Sequence, residues 1–80
     1  RYFEGDLKRA LAICEAVLQV RPKDQKIRAV AGAAACKLRL RPAAQRHHCY
    51  LGASRRLMHQ RVCAKHGVKV SSKACSKASR

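Results

Sequence analysis

The chain has 80 residues, of which 19 are Lys or Arg and only 4 are Asp or Glu, so its formal net charge at pH 7 is +15. A chain of this length forms at most one small domain and buries only about 60% of the surface that its unfolded form exposes. It has no apolar run long enough to cross a bilayer, and no charged leader precedes an apolar stretch, so neither a membrane span nor a signal peptide is predicted.

The first predicted helix covers about residues 6 to 20. Asp6 is a suitable N-cap, and Pro22 disfavours the helical conformation at the residue before it. The apolar residues between them recur at intervals of three and four, the spacing of one helix face: Leu7, Ala10, Leu11, Cys14, Val17 and Leu18. Because the chain does not begin with Met, and Tyr2 and Phe3 suit the end of a preceding helix, we expect it to be the carboxy-terminal piece of a longer protein.

Asp24 is predicted to cap a second helix, whose apolar stripe consists of Ile27, Val30, Ala31, Ala34, Ala35 and Leu38. Gly32 lies inside this helix, where glycine costs about 1 kcal/mol relative to alanine. We therefore expect a neighbouring backbone to pass close to Gly32, since the small side chains around it would allow helices to approach closely.

A third helix is predicted to begin at Pro42, which suits the first helical position, and to end near Leu51. Ser54 is predicted to cap a fourth helix. Gly67 suits the left-handed conformation just past its end. The apolar residues of this fourth helix are Leu57, Met58, Val62 and Ala64.

The last part of the chain, residues 68 to 80, has little to bury and is predicted to be a flexible basic tail. Residues 1 to 67 then form one helical module. The sequence therefore predicts an all-α fold with about four helices.

A period of 34 residues relates the two halves of this pattern, because Ala44 and Leu51 follow Ala10 and Val17 at that distance. A self-match of this length is typical of tetratricopeptide repeats. The first part of the chain resembles the second helix of such a repeat, through Tyr2, Phe3, Glu4, Gly5, Asp6, Leu7, Ala10, Leu11, Cys14, Val17, Leu18, Val20 and Pro22. Gly32 stands where the next repeat has its helix-one glycine, and the second copy departs from the pattern at Arg41, His48 and Arg56.

The resemblance to tetratricopeptide repeats implies antiparallel helix hairpins stacked as a solenoid. It also implies a scaffold for protein–protein interaction within a larger intracellular, signalling protein. A further resemblance is to the repeat region that follows serine/threonine kinase domains in gliding and predatory bacteria, and it involves residues 34 to 38, Arg55, Arg56, Leu57, residues 60 to 63, Gly67 and Val68.

The family lines its concave groove mainly with the first helix of each repeat. Mapped onto this chain, the groove would present Lys26, Ala29, Val30, Ala33 and Lys37. Two lysines supply charge and the alanines leave room, so the expected partner is a protein or an acidic peptide. Because the helix that should precede the first one is missing, we also expect self-association through the N-terminal end.

The alternative is a small basic helical protein that binds nucleic acid. No acidic residue follows Asp24, whereas residues 25 to 80 contain 14 Lys or Arg, and such a surplus attracts polyanions. The candidate basic patch, which Lys73 and Lys77 would extend, consists of Arg55, Arg56, Arg61, Lys65 and Lys69. Against this alternative, Tyr50 is the only aromatic residue after Phe3, and single-strand binders usually interleave aromatics with their cations.

The five cysteines include no Cys-x-x-Cys pair, which favours a reduced, cytoplasmic setting. His59, Cys63 and His66 share one helix face and suggest a metal site. Zinc would need a fourth ligand, drawn from His48, Cys49 or Cys75, and no pair has the spacing of a zinc finger. A small buried cysteine flanked by half-exposed histidines is the favoured interpretation, so no metal and no cofactor are predicted.

Cys49 beside His47 or His48 suggests a thiolate–imidazole nucleophile. Adjacent helix residues point in different directions, however, and no acid after Asp24 could orient the imidazole. We therefore predict no catalytic residues and no enzymatic activity.

Overall fold

A computed structural model describes residues 4–73 and 75 of the chain. Within them the fold is all-α, as predicted, and has four helices and no strand. The helices are α1 (Glu4–Val20), α2 (Gln25–Lys37), α3 (Arg41–Tyr50) and α4 (Ala53–Lys65). No helix in this part of the chain is long and apolar enough to cross a membrane.

Two predicted helix ends are confirmed, and two predicted N-caps, those of α1 and α4, are wrong. The backbone N–H of Ile27 donates to Asp24 Oδ1 at 3.1 Å, so Asp24 caps α2. Gly67 has a φ of 75°, the left-handed conformation predicted past the end of α4. The helix α1, however, begins at Glu4, so Asp6 lies inside its first turn rather than at the cap. An acidic residue is also favourable there, because the N-terminal end of a helix carries partial positive charge.

The predicted cap of α4 is also wrong, because the helix begins at Ala53, before Ser54. Gly52 occupies the N-cap position, and Ser54 lies within the first turn. The side chain of Gln25 bridges the corner between α3 and α4: its Oε1 accepts from the Gly52 N–H at 2.8 Å, and its Nε2 donates to the Tyr50 carbonyl at 3.0 Å. This contact joins residues that are 27 apart in the sequence and holds the corner before α4 against α2.

The helix α2 is central, since it packs against α1, α3 and α4, while α3 also packs against α4. The core consists mainly of small side chains from these helices. Ala31 and Ala35 of α2 and Ala44 of α3 are fully buried, and α1 contributes Leu11 and Leu18. Alanine surfaces let the helix axes approach closely, but they bury little apolar area per residue.

The start of the predicted tail is packed rather than free. Val68 and Val70 are buried, and Gln45 exchanges two hydrogen bonds with the backbone of Ser71, at 2.8 and 3.0 Å. Ser72 accepts from Arg56, the Lys73 N–H donates to Ser71 Oγ, and Cys75 is buried, so the expectation of a flexible tail does not hold for residues 68–73 and 75. The remainder of that prediction, at residues 74 and 76–80, lies outside the described residues.

Two disulfides correct the expectation of a reduced protein. They join Cys36 to Cys63 and Cys49 to Cys75, and leave Cys14 as a free, buried thiol. The paired cysteines are 27 and 26 residues apart, so no short motif reveals them. Helix packing brings their Cα atoms to 4.9 and 5.2 Å, within the range that a disulfide spans.

Candidate functional site

The five residues predicted to line the groove lie on one outer face of α2. We call this set the α2 row: Lys26, Ala29, Val30, Ala33 and Lys37. Lys26, Val30 and Lys37 are exposed, whereas Ala29 and Ala33 are half-buried. Val30 retains 51% of its accessible surface, which is high for a β-branched apolar residue. Although α2 packs against three other helices, this fourth side remains open.

The predicted basic patch divides into four exposed side chains and one that has a structural role. Arg55, Arg61, Lys65 and Lys69 are exposed. Arg56 is half-buried: its Nε donates to the Leu51 carbonyl at 2.8 Å, and its Nη2 donates to the Cys49 carbonyl at 2.7 Å.

The remaining contact of Arg56 reaches the tail, since its Nη1 donates to Ser72 Oγ at 3.2 Å. Carbonyl groups in the last turn of a helix lack intrahelical donors, so this guanidinium stabilises the end of α3. Arg56 therefore belongs to the fold rather than to a free cationic surface.

The helix α4 directs histidine and cysteine, rather than its larger apolar residues, into the core. His59 and Cys63 are buried, whereas Leu57 and Met58 retain 55% and 70% of their accessible surface. At this contact the opposing helix has Gly32, which has no side chain, and the His59 ring lies against it. Sequence reasoning placed these apolar residues correctly on a helix, but it could not tell which face is buried.

A polar cleft of about 380 Å³ lies where α1, α2 and α3 meet. Its walls include Glu15, Arg28, Arg46, His47 and Tyr50. Glu15 Oε2 lies 3.0 Å from His47 Nε2 and 3.2 Å from Arg46 Nη2. Arg28 Nη1 lies 3.2 Å from His47 Nδ1, and its guanidinium carbon lies 4.4 Å from the centre of the Tyr50 ring.

These contacts assign the protonation state of His47. A guanidinium can only donate, so His47 Nδ1 accepts from Arg28 and Nε2–H donates to Glu15. Burial lowers the pKa of His47, and the hydrogen bond and negative charge of Glu15 partly oppose that shift. Both ring nitrogens are engaged, and the neutral imidazole links three helices rather than presenting a free nitrogen to the cleft.

The acid that sequence reasoning did not find for this histidine is Glu15, which precedes His47 by 32 residues. The two residues meet because α1 and α3 both pack against α2. Cys49 does not join them, because it is bonded to Cys75. The suggested thiolate–imidazole pair is therefore not assembled in this structure.

A second buried cluster contains Cys36, His59 and Cys63, all with 5% or less of their surface exposed. His59 Nε2 lies 3.6 Å from Cys36 Sγ and 3.3 Å from Cys63 Sγ. On the other side of the ring, His59 Nδ1 lies 3.0 Å from His48 Nδ1. Of the three residues suggested as metal ligands from the sequence, the structure brings together His59 and Cys63; Cys36 joins them, whereas His66 does not.

Gly32 admits the ring of His59 between α2 and α4. A Cβ atom added at Gly32 would lie 2.5 Å from His59 Nε2, which is closer than any ordinary contact. The expectation that a neighbouring backbone passes close to Gly32 is therefore wrong, since a histidine side chain does so. The imidazole ring leaves no more room for a side chain at this position than a neighbouring backbone would.

Both histidines of this cluster favour the neutral form. Burial, together with the nearby His59 and Arg56 side chains, lowers the pKa of His48 to about 4. Burial also lowers the pKa of His59, against a smaller opposing effect of the Gly32 backbone. Neutral imidazoles can share one hydrogen bond between their Nδ1 atoms, and the rings are stacked with centroids 5.2 Å apart.

Comparison with protein-family models, with curated proteins and with solved structures finds no match for this chain. The tetratricopeptide resemblance therefore stays a prediction. The functional argument depends on the surfaces and clusters described above.

Proposed function

We propose that the chain is a protein-interaction module, of tetratricopeptide-like architecture, within a larger intracellular protein. In this proposal the α2 row binds an acidic, amphipathic segment of a partner protein. The observation that supports it is the open face of α2, which exposes an apolar residue between lysines on a helix otherwise surrounded by neighbours.

The α2 row matches the chemistry of such a segment. Lys26 and Lys37 are eleven residues apart, about 16 Å along the helix, and can pair with carboxylates at either end of a bound segment. Val30 supplies apolar area between them, and Ala33 leaves room for a partner's larger side chain. An apolar centre with a polar rim is the usual anatomy of an interface.

The charge distribution favours an acidic partner over a neutral one. The formal net charge is +15 and no acid follows Asp24 in the sequence, so the chain as a whole attracts acidic surfaces. Such a field accelerates encounter with an acidic surface, and it does so less at high salt. The contact of Val30 with the partner would supply the part of the affinity that salt does not screen.

The experiment uses a labelled amphipathic peptide with leucines on one face and glutamates beside them. A peptide of the same composition, scrambled so that no apolar face forms, is the control ligand. At near-physiological salt we expect Val30→Asp to weaken binding of the amphipathic peptide about tenfold, and Lys26→Glu/Lys37→Glu to weaken it similarly.

The matched control for charge is Lys8→Glu/Arg9→Glu, which makes the same change in net charge on the exposed side of α1. We expect this variant to bind within about twofold of the unchanged protein. Equal binding of the scrambled peptide, or equal weakening by the control variant, would show that charge alone drives association and would overturn the proposal.

The exposed cations of α4 and the residues that follow it favour nucleic-acid binding as a second candidate. If Arg55, Arg61, Lys65 and Lys69 each neutralise one phosphate, duplex affinity should fall about 150-fold between 50 and 200 mM salt. Tight duplex binding that survives near-physiological salt, and that Arg55→Glu/Arg61→Glu abolishes while Val30→Asp does not, would favour this candidate over the first.

A further inference from the structure

We propose that Cys36, His59 and Cys63 bind Zn²⁺ in the reduced protein, in place of the Cys36–Cys63 disulfide. This site is separate from the α2 row, and it does not depend on the proposed interaction function. It joins α2 to α4 through a metal ion where the oxidised protein joins them through a covalent bond.

The donor atoms stand at distances that suit a tetrahedral centre. With Zn–S near 2.3 Å and Zn–N near 2.05 Å, adjacent sulfur and nitrogen ligands lie about 3.6 Å apart. The observed distances from His59 Nε2 to the sulfurs of Cys36 and Cys63 are 3.6 and 3.3 Å. Once the disulfide is reduced, the two sulfurs must separate to about 3.8 Å to become adjacent ligands of one zinc ion.

The surroundings hold the His59 ring in the orientation that a metal requires. When His59 Nδ1–H donates to His48 Nδ1, the lone pair of His59 Nε2 points toward the two sulfurs. A hydrogen bond to the far nitrogen of a metal-binding histidine commonly fixes its tautomer and ring position. His48 is therefore a positioning residue for this site.

A second, independent observation is the space that Gly32 leaves for the ring. Glycine inside a helix costs about 1 kcal/mol relative to alanine, and a Cβ here would lie 2.5 Å from the ligating nitrogen. The helix α2 thus carries an unfavourable residue at the one position where the His59 ring must pass.

The donor set and the charge balance favour zinc. Two thiolates and one imidazole suit a soft or borderline metal and exclude Ca²⁺ and Mg²⁺, which require oxygen ligands. Two thiolates with Zn²⁺ have no net charge, so their burial costs far less than burial of either charge alone. Three protein ligands leave the fourth zinc position to a non-protein ligand.

The change from the disulfide form to the zinc-bound form takes two steps, a reduction and a metal binding. A phosphine reductant such as a trialkylphosphine donates two electrons to the disulfide, water supplies two protons and the oxygen of the phosphine oxide, and Cys36 and Cys63 become thiols. Zn²⁺ then displaces the two thiol protons, which are released to solvent. In a reducing compartment the thiol form is the one available to the metal.

The test is titration of the full chain with Co²⁺, a tetrahedral probe of zinc sites, after reduction with a phosphine under anaerobic conditions. We expect one Co²⁺ per chain, with a sulfur-to-cobalt charge-transfer band and intense visible bands that Zn²⁺ removes. The oxidised chain should show neither band, because its sulfurs are bonded to each other. This comparison needs no variant, so a folding defect cannot obscure it.

Variants then assign the ligands. Cys36→Ser/Cys63→Ser and His59→Gln should lose the bands, whereas Cys14→Ser, His66→Gln and Cys49→Ser/Cys75→Ser should retain them. The last control matters because reduction also frees Cys49 and Cys75. Absence of the bands from the reduced chain would overturn the proposal, as would the same bands in the oxidised chain or in Cys36→Ser/Cys63→Ser.

Discussion

The replacement Gly32→Ala tests whether the contact between α2 and α4 depends on the fit of the His59 ring. The added Cβ would lie 2.5 Å from His59 Nε2 and 2.9 Å from its Cδ2, so the ring must move away. Alanine gains about 1 kcal/mol in helix propensity, whereas overpacking a core costs about 1 to 3 kcal/mol. Loss of the His48–His59 hydrogen bond adds about 1 kcal/mol.

The net expectation for Gly32→Ala is a loss of about 2 kcal/mol in the free energy of unfolding. Urea unfolding followed by circular dichroism measures it, with Gly5→Ala as the matched control. A Cβ at Gly5, which lies in α1, meets nothing within 4 Å, so that replacement should stabilise the protein by about 0.5 kcal/mol. If Gly32→Ala stabilised the protein as Gly5→Ala does, the His59 ring would not occupy this space, and the argument from fit would fail.

Three further predictions concern the polar contacts and the covalent bonds. Arg56→Ala removes the donor to the Cys49 and Leu51 carbonyls, so urea unfolding should show a loss of about 2 kcal/mol in the free energy of unfolding. The control Arg55→Ala, at an exposed residue, should change it by less than about 0.5 kcal/mol. Folding lowers the pKa of His48 to about 4, so below pH 6.5 the unfolded chain binds more protons than the folded chain. The free energy of unfolding should therefore be highest above pH 6.5 and should fall, by at most about 3 kcal/mol, as the pH drops toward 4. His48→Gln should flatten that pH dependence in urea unfolding, and an unchanged slope would contradict the assignment. Cys75→Ser opens a loop of about 26 residues, so the chain-entropy model predicts a loss of about 3.5 kcal/mol in the free energy of unfolding. Proteolysis at Lys69 and Lys73 should also become faster. Equal proteolysis of the variant and the parent chain would show that the disulfide does not hold this segment.

The sequence was sufficient to predict the helices, because their signals are local. A carboxylate cap before α2, prolines at two helix boundaries and a glycine after α4 each act within a few residues. The same residues did not reveal which side of α4 is buried. Leu57 and Met58 are larger and more apolar than His59, yet they are exposed, and it is the His59 ring that lies against Gly32 inside the core.

The candidate sites also differ in how far the sequence could predict them, because some lie on one helix and others combine several. The α2 row was implied by the tetratricopeptide resemblance, and its five residues belong to a single helix, so they can share one face without any long-range contact. The clusters around His47 and His59 each combine three helices, and Glu15 and Cys36 are 32 and 23 residues from the histidines they meet. No spacing in the sequence carries that information, and neither did the cysteine pattern reveal its two disulfides.

The position of the two adjacent histidines on α3 explains how a core of alanines is held in one arrangement. Successive helix residues point about 100° apart, so His47 and His48 face opposite sides of α2. His47 meets Glu15 of α1 and Arg28 of α2, whereas His48 meets His59 of α4.

Alanine surfaces pack closely, but they have little shape to fix the relative rotation of two helices. Hydrogen bonds have direction, and a buried polar group that loses its partner costs about 1 to 3 kcal/mol, so any other rotation of α3 would leave both imidazoles unsatisfied. The two polar clusters therefore specify how α1, α3 and α4 are arranged around α2. The open face that carries the α2 row is a consequence of that arrangement, since each of the other sides of α2 is occupied by a helix that these clusters hold in place.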